Sequence, residues 1–204
     1  MRKDMLASLL FRVTQAGYSL ALGVWVGALV MLGLTAITAF GVIPRYEPVL
    51  MAPPFGEPAF EGRGGTVLAG AVVNASLMKL AHLGLAAVAV AAACVAAQTL
   101  LFPDRLVKRG RSASNTIRVL LLAILAALVL YERFDLGPAL REQLATMYDP
   151  DASSAARASA RVVFDMLHTR SELLHRALLL LAASALVVSP FAIGLRSPRE
   201  REAH

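Results

Sequence analysis

The chain has 204 residues, 57% of them hydrophobic and 17% charged, with a net charge of +6 and a mean hydropathy of +0.64. An ordinary soluble domain carries about a quarter charged residues, and a disordered chain is poor in aliphatics, so both classes are excluded. The length suits one domain, and apolar runs of about 20 residues can each cross a hydrocarbon layer about 30 Å thick.

The first such run, Tyr18 to Ile43, follows Arg2, Lys3 and Arg12. It is too long for the core of a signal peptide and ends without a small-x-small cleavage site, so it reads as a spanning helix over about 18–43. The connection 44–65 holds Pro44, Pro48, Pro53, Pro54 and Pro58 with Gly62, Gly64 and Gly65, which predicts irregular chain. The second run, Thr66 to Phe102, includes the small-residue stretch Ala86 to Ala93 and a span over about 80–102. After the connection 103–115, the third run starts at Thr116 and gives a span over about 116–132. A continuation to Met147 meets Gly137-Pro138, where a kink is expected, and Asp149-Pro150-Asp151 reads as a turn. Ser153 to Arg170 lacks Gly and Pro and so favours helix, leading into the fourth run, Leu173 to Leu195, with a span over about 173–195.

None of the runs alternates with period two, so they are helices and not barrel strands. The expected fold is all-α: one integral membrane four-helix bundle in which helices two, three and four extend beyond the outer membrane surface. Charge gives the orientation. Residues 1–16 hold three Lys/Arg against one acid, 103–115 holds Arg105, Lys108, Arg109 and Arg111 against Asp104, and the tail holds Arg196, Arg199 and Arg201. The external candidates are balanced: Pro44 to Gly65 has two basic and three acidic residues, and Glu132 to Ser171 has five and six. The positive-inside rule therefore puts both termini and 103–115 in the cytoplasm, with 44–65 and 133–171 outside. The basic balance is explained by topology and membrane lipid, with no need of nucleic acid. Three Lys against 17 Arg in an Ala-rich chain suggests a bacterial source, hence a cytoplasmic (inner) membrane.

Chemistry-bearing residues gather at one predicted depth. His168, Glu172 and His175 follow i, i+4, i+7 and share a helix face, with Arg176 next. Counting about 20 residues outward from the cytoplasmic ends brings His82, Glu132, Glu172 and His175 to the outer membrane surface. Three readings follow. His82, His168 and His175 with Glu172 suit Zn or Cu, which accept neutral imidazole. His82 and His175 on two helices suit the axial positions of haem b. The reading that needs least is an ion-pair layer in which Glu132 and Glu172 neutralise Lys79 and Arg176, with no cofactor at all.

The remaining polar residues are sparse. Cys94 is the only cysteine, which removes disulfides and CxxC motifs, and among alanines it reads as a packing residue. Asn74, Thr35, Thr38 and Gln98 can bond across helices. No carboxylate sits at the centre of a run, and the Walker A, G-x-S-x-G and H-E-x-x-H patterns are absent, so no common enzyme class is indicated.

Three local patterns carry a resemblance. Trp25-Val26-Gly27 in a helix closing at Pro44, the entry Gly65-Thr66-Val67-Leu68-Ala69-Gly70, and Phe164-Asp165-Met166-Leu167-His168-Thr169-Arg170-Ser171 are together similar to the transmembrane protein 205-like family of small four-helix membrane proteins. The last pattern resembles the family's F-x-x-L-H-x-x-S signature, which marks Phe164, Leu167, His168 and Ser171 as motif positions beside Trp25, Gly27 and Pro44. The resemblance implies a four-helix membrane protein without an assigned chemical activity, some of whose eukaryotic members are linked to metal-drug tolerance and secretion. The resulting expectation is a non-enzymatic binding, scaffold or homeostasis protein. It would act through its external helices on a protein partner or small ligand, and small-residue faces would permit a homo-oligomer. A metal or haem protein and a small-solute transporter are the alternatives.

Overall fold

The computed structural model describes residues 2–46, 64–102 and 111–193. Most of the connection 44–65, the first part of 103–115 and the tail arginines lie outside the described residues, and the expectations placed on them lie there too.

All regular structure among the described residues is helical. Helix α1 runs Arg2–Val42 into a short 3-10 turn, Ile43–Tyr46; α2 is Gly64–Leu101 and α3 is Arg111–Tyr131. A π-helical turn, Glu132–Leu136, joins α3 to α4, Gly137–Met147, and α5 is Ser154–Ile193. Four stretches, Met5–Tyr46, Gly64–Leu101, Ala113–Met147 and Ser154–Ser189, are long and apolar enough to cross a membrane. Helices α1, α2 and α5 hold 41, 38 and 40 residues. At 1.5 Å per residue each is about 60 Å long, twice the hydrocarbon thickness of about 30 Å. Helix α1 thus shares the excess length that the sequence suggested for the other three, because Lys3 to Ala16 contains neither Gly nor Pro to stop it.

Local chemistry sets the ends. Ser153 caps α5 by accepting at Oγ from the Ala156 amide at 3.2 Å, and Asp149 accepts from the Asp151 amide at 3.0 Å in the expected turn. At Pro138 the ring would collide with the carbonyl four residues back and supplies no amide proton. The helix widens there instead of breaking, with the Gly137 amide donating to the Glu132 carbonyl.

The chain divides into two compact units, one of Met1–Val26, Gly84–Ala127 and Leu178–His204, the other of Gly27–Leu83 and Leu128–Ala177. In the first unit each helix buries a single stripe at seven-residue spacing. The stripes are Tyr18, Leu22 and Trp25 on α1; Ala87, Ala91, Val95 and Gln98 on α2; Arg118, Leu122 and Leu125 on α3; Leu178, Ala182, Ala185 and Ser189 on α5. Off the stripes, Leu20, Val24, Val90, Ile124, Leu180 and Val187 are exposed. Small residues admit large ones: a Cβ on Gly84 would stand 3.0 Å from Nε1 of the buried Trp25, and one on Gly17 would stand 3.1 Å from Sγ of Cys94. Phe11 and Phe102 meet edge to face at 5.6 Å. In the second unit Ala160, Ser171 and Leu174 continue the α5 stripe, Leu136 and Val129 are buried, and Gly65 lies so close to Pro44 that any Cβ would overlap it.

Candidate functional site

The second unit contains a cavity of about 250 Å³. From α2 it is lined by Asn74, Leu77, Met78, Ala81 and His82, residues at i, i+3, i+4, i+7 and i+8 on one face. The π turn and α4 add Glu132, Arg133, Leu136, Gly137, Leu140 and Arg141, and α5 adds Ser171 and His175. The site depends on the π turn. Its extra residue per turn brings both Glu132 and Gly137 to the wall, and a Cβ on Gly137 would lie 2.8 Å from the Glu132 carbonyl oxygen.

At the wall, Nε2 of His175 stands 3.0 Å from Oε1 of Glu132, off the direct hydrogen-bond line, and both side chains are largely covered, at 14% and 12% exposure. The opposite ring nitrogen, Nδ1, lies 2.7 Å from the Ser171 carbonyl oxygen and 3.4 Å from the Ser171 hydroxyl. A carbonyl can only accept, so Nδ1 donates to it, and Nε2 then faces a carboxylate. A carboxylate facing Nε2 is favourable when the imidazole carries its second proton, because the two groups are then oppositely charged. His82 repeats half of this arrangement, with Nδ1 donating to the Met78 carbonyl at 2.7 Å.

The residues expected to cluster separate into two sets. His82, Glu132 and His175 line one cavity, whereas His168 and Glu172 form an exposed pair at 3.4 Å, with the side chains 50% and 51% exposed. Glu172 also takes Arg176 at 3.3 Å, and the His168 ring stacks on Phe164 at 5.7 Å. His168 and His175 share a face but lie about 10 Å apart along the helix axis, and only His175 reaches the level of Glu132. Among the described residues, no three His, Cys, Asp or Glu side chains converge as a ready metal site. Lys79 is exposed and does not line the cavity.

The motif positions are equally divided. Ser171 is buried at the cavity wall and Trp25 is buried on Gly84, while Gly27 has open space where its Cβ would be. Thr35 bonds only its own helix, at the Met31 carbonyl.

A second polar cluster, in the first unit, was not anticipated. Arg118 is 0% exposed. Its Nη2 donates to Oε1 of Gln98 at 2.7 Å and Oδ1 of Asn115 at 3.0 Å, and its Nη1 donates to Oε1 of Gln15 at 3.3 Å. Its Cζ sits 5.1 Å from the centre of the Tyr18 ring. Gln98 donates onward to Gln15 at 3.2 Å and to Thr14 at 3.3 Å, and Gln15 to Ser189 at 2.6 Å. Among the described residues no carboxylate pairs with this guanidinium; neutral oxygens and an aromatic face hold it. Its signal was present in the sequence as a continuation of the apolar stripes, since Arg118, Gln98 and Ser189 occupy stripe positions and not positions beside them.

Comparison with protein-family models, curated proteins and solved structures finds no match to the chain.

Proposed function

We propose that this chain is a non-enzymatic, multi-pass integral membrane protein that binds a small polar ligand in the cavity of its second unit. The observation that supports the reading is a cavity wall combining a largely covered Glu132–His175 pair with guanidinium, amide and hydroxyl groups on an otherwise apolar lining. Four spans form a bundle, with both termini and 103–115 in the cytoplasm and 44–65 and 133–171 outside, in a bacterial inner membrane. The motifs around Trp25, Pro44 and Ser171 resemble those of the transmembrane protein 205-like family.

Two experiments test this. In a Cys94→Ala background, Glu57→Cys should react with an impermeant maleimide added to intact cells and Lys108→Cys only after lysis; the reverse pattern overturns the topology. In detergent, a panel of small solutes should include one whose saturable binding is lost when Ala81→Phe fills the cavity. No saturable ligand, or one indifferent to that variant, overturns the binding reading.

One observation favours a second reading. Both His82 and His175 keep Nδ1 on a carbonyl of their own helix, the arrangement that orients Nε2 in imidazole–metal sites. A Zn or Cu ion would then take His82, His175 and Glu132, in place of the expected set with His168 and Glu172; haem b would need the same two imidazoles. Metal analysis and an absorption spectrum of the purified protein, with His175→Ala alongside, test it. A stoichiometric metal or a Soret band lost in the variant supports it, and a metal-free spectrum removes it.

A further inference from the structure

The charges around the cavity select among polar ligands, and we infer that the ligand bound there is a small oxyanion, a carboxylate or a phosphate, held by Arg133 and Arg141. The inference rests on the cavity being a ligand site and adds the chemical class.

Glu132 is the only carboxylate at the wall among the described residues, and His175 is already 3.0 Å from it. That pair carries at most one negative charge, against two guanidiniums at the wall. The two arginines therefore decide the sign of the cavity. Neither is paired with a carboxylate among the described residues, within the 4.0 Å that defines an ion pair. Arg133 instead rests its guanidinium 5.9 Å from the ring of the exposed Phe134, and Arg141 folds back so that Nη1 lies 3.8 Å from the Cβ position of Gly137. The absence of a side chain at Gly137 leaves room for that guanidinium at the wall.

A planar guanidinium presents parallel N–H groups that match two oxygens of a carboxylate or phosphate. Asn74 and Ser171 supply neutral donors on the other helices, and the apolar residues lower the local dielectric around whatever charge enters. A volume of about 250 Å³ suits an anion of a few heavy atoms and falls below the pockets of about 300–1,000 Å³ that take larger molecules. A metal cation or an organic cation would meet two uncompensated positive charges. The same oxyanion chemistry has two sources, a free solute or the phosphate of a lipid headgroup entering from the side.

The test is a titration of the full-length, detergent-purified protein with sodium phosphate and sodium acetate at constant ionic strength. Zinc chloride, tetramethylammonium chloride and glycerol are titrated in parallel. Saturable binding of phosphate or acetate is expected, weakened at least about tenfold in Arg141→Gln and further in the Arg133→Gln/Arg141→Gln pair. Lys79→Gln, which removes a nearby positive charge outside the cavity, should leave it unchanged. Displacement of bound phosphate by phosphatidylglycerol micelles assigns the lipid source, and persistence of phosphate binding assigns the free solute; either supports the oxyanion class. Saturable binding of a cation or of glycerol without an oxyanion overturns the class while leaving the cavity a ligand site. Oxyanion binding equally strong in both arginine variants places the anion elsewhere and overturns the inference. Binding of nothing overturns both.

Discussion

The two polar clusters use arginine in opposite ways. In the first unit Arg118 is enclosed, with three amide oxygens on its two terminal nitrogens and a tyrosine ring beneath it, while its Nε has no hydrogen-bond partner. In the second unit Arg133 and Arg141 border an open cavity and have no carboxylate partner among the described residues, while the largely covered Glu132 faces a histidine. A charge enclosed and bonded by neighbouring helices ties them in register, whereas a charge left facing a void is available to something that enters it. The difference lies in the partners and not in the residue type.

The sharpest way to break this comparison is to unsaturate the enclosed cluster. Gln98→Leu removes the shortest acceptor of Arg118 and leaves a buried cation short of one bond, which should cost about 3 kcal/mol, since a hydrogen bond to a charged group contributes roughly 1.5–3. Arg118→Leu added to Gln98→Leu should recover part of that loss, because removing the charge with its acceptor leaves fewer unsatisfied groups. Unfolding of the purified protein by heat or by SDS titration reads both. If Gln98→Leu cost under about 1 kcal/mol, the cluster would not be what fixes the first unit.

The four long helices were legible because continuous apolar runs cannot be satisfied any other way, and the turn at Asp149 to Asp151 because two acids around a proline favour it. The depth count rests on the constant rise of a helix, and three of the residues it groups, His82, Glu132 and His175, line one cavity. It also drew in Glu172, and the face spacing drew in His168, since depth and face say nothing about which level of a helix meets a neighbour. Arg118 is hard to read from the sequence because, as the third residue of its apolar run, it follows closely on the basic residues of 103–115. Only its distances of four and seven from Leu122 and Leu125 mark it as inward-facing. Gln98 was read as a cross-helix donor, and it bonds Thr14 and Gln15, but its strongest partner was the residue left out. The π turn had a visible cause in Pro138, but the sequence names only the disturbance and not the widened turn by which the helix absorbs it.

A smaller effect separates the cavity from the chain that builds it. Gly137→Ala places a Cβ against the Glu132 carbonyl, and backbone cannot swing aside as a side chain can. The expected cost is about 2 kcal/mol, as for other forced contacts in packed interiors. The π turn should tighten and carry Glu132 away from His175. Ligand affinity should fall with stability in this variant, whereas the two arginine substitutions should lower affinity alone. Thermal unfolding with and without ligand distinguishes these outcomes. Unchanged affinity in Gly137→Ala would mean that the turn geometry does not position the site.

The smallest expected effect concerns the histidine that the sequence pattern made most conspicuous. His168 is half exposed, pairs with an equally exposed Glu172 of its own helix, and stacks on Phe164 one turn away. Exposed pairs of this kind contribute roughly 0–1 kcal/mol, because water competes for both charges and both side chains lose freedom. His168→Ala should therefore change stability by under about 0.5 kcal/mol and leave ligand affinity untouched. Ser171→Val, three residues on, removes the buried hydroxyl at the cavity wall and should weaken binding, although both positions belong to one short motif. Within that motif the physical demand falls on the residue that lines the cavity. If instead His168→Ala abolished binding while Ser171→Val spared it, the working surface would be the exposed face of α5, and the cavity would be only the packing behind it.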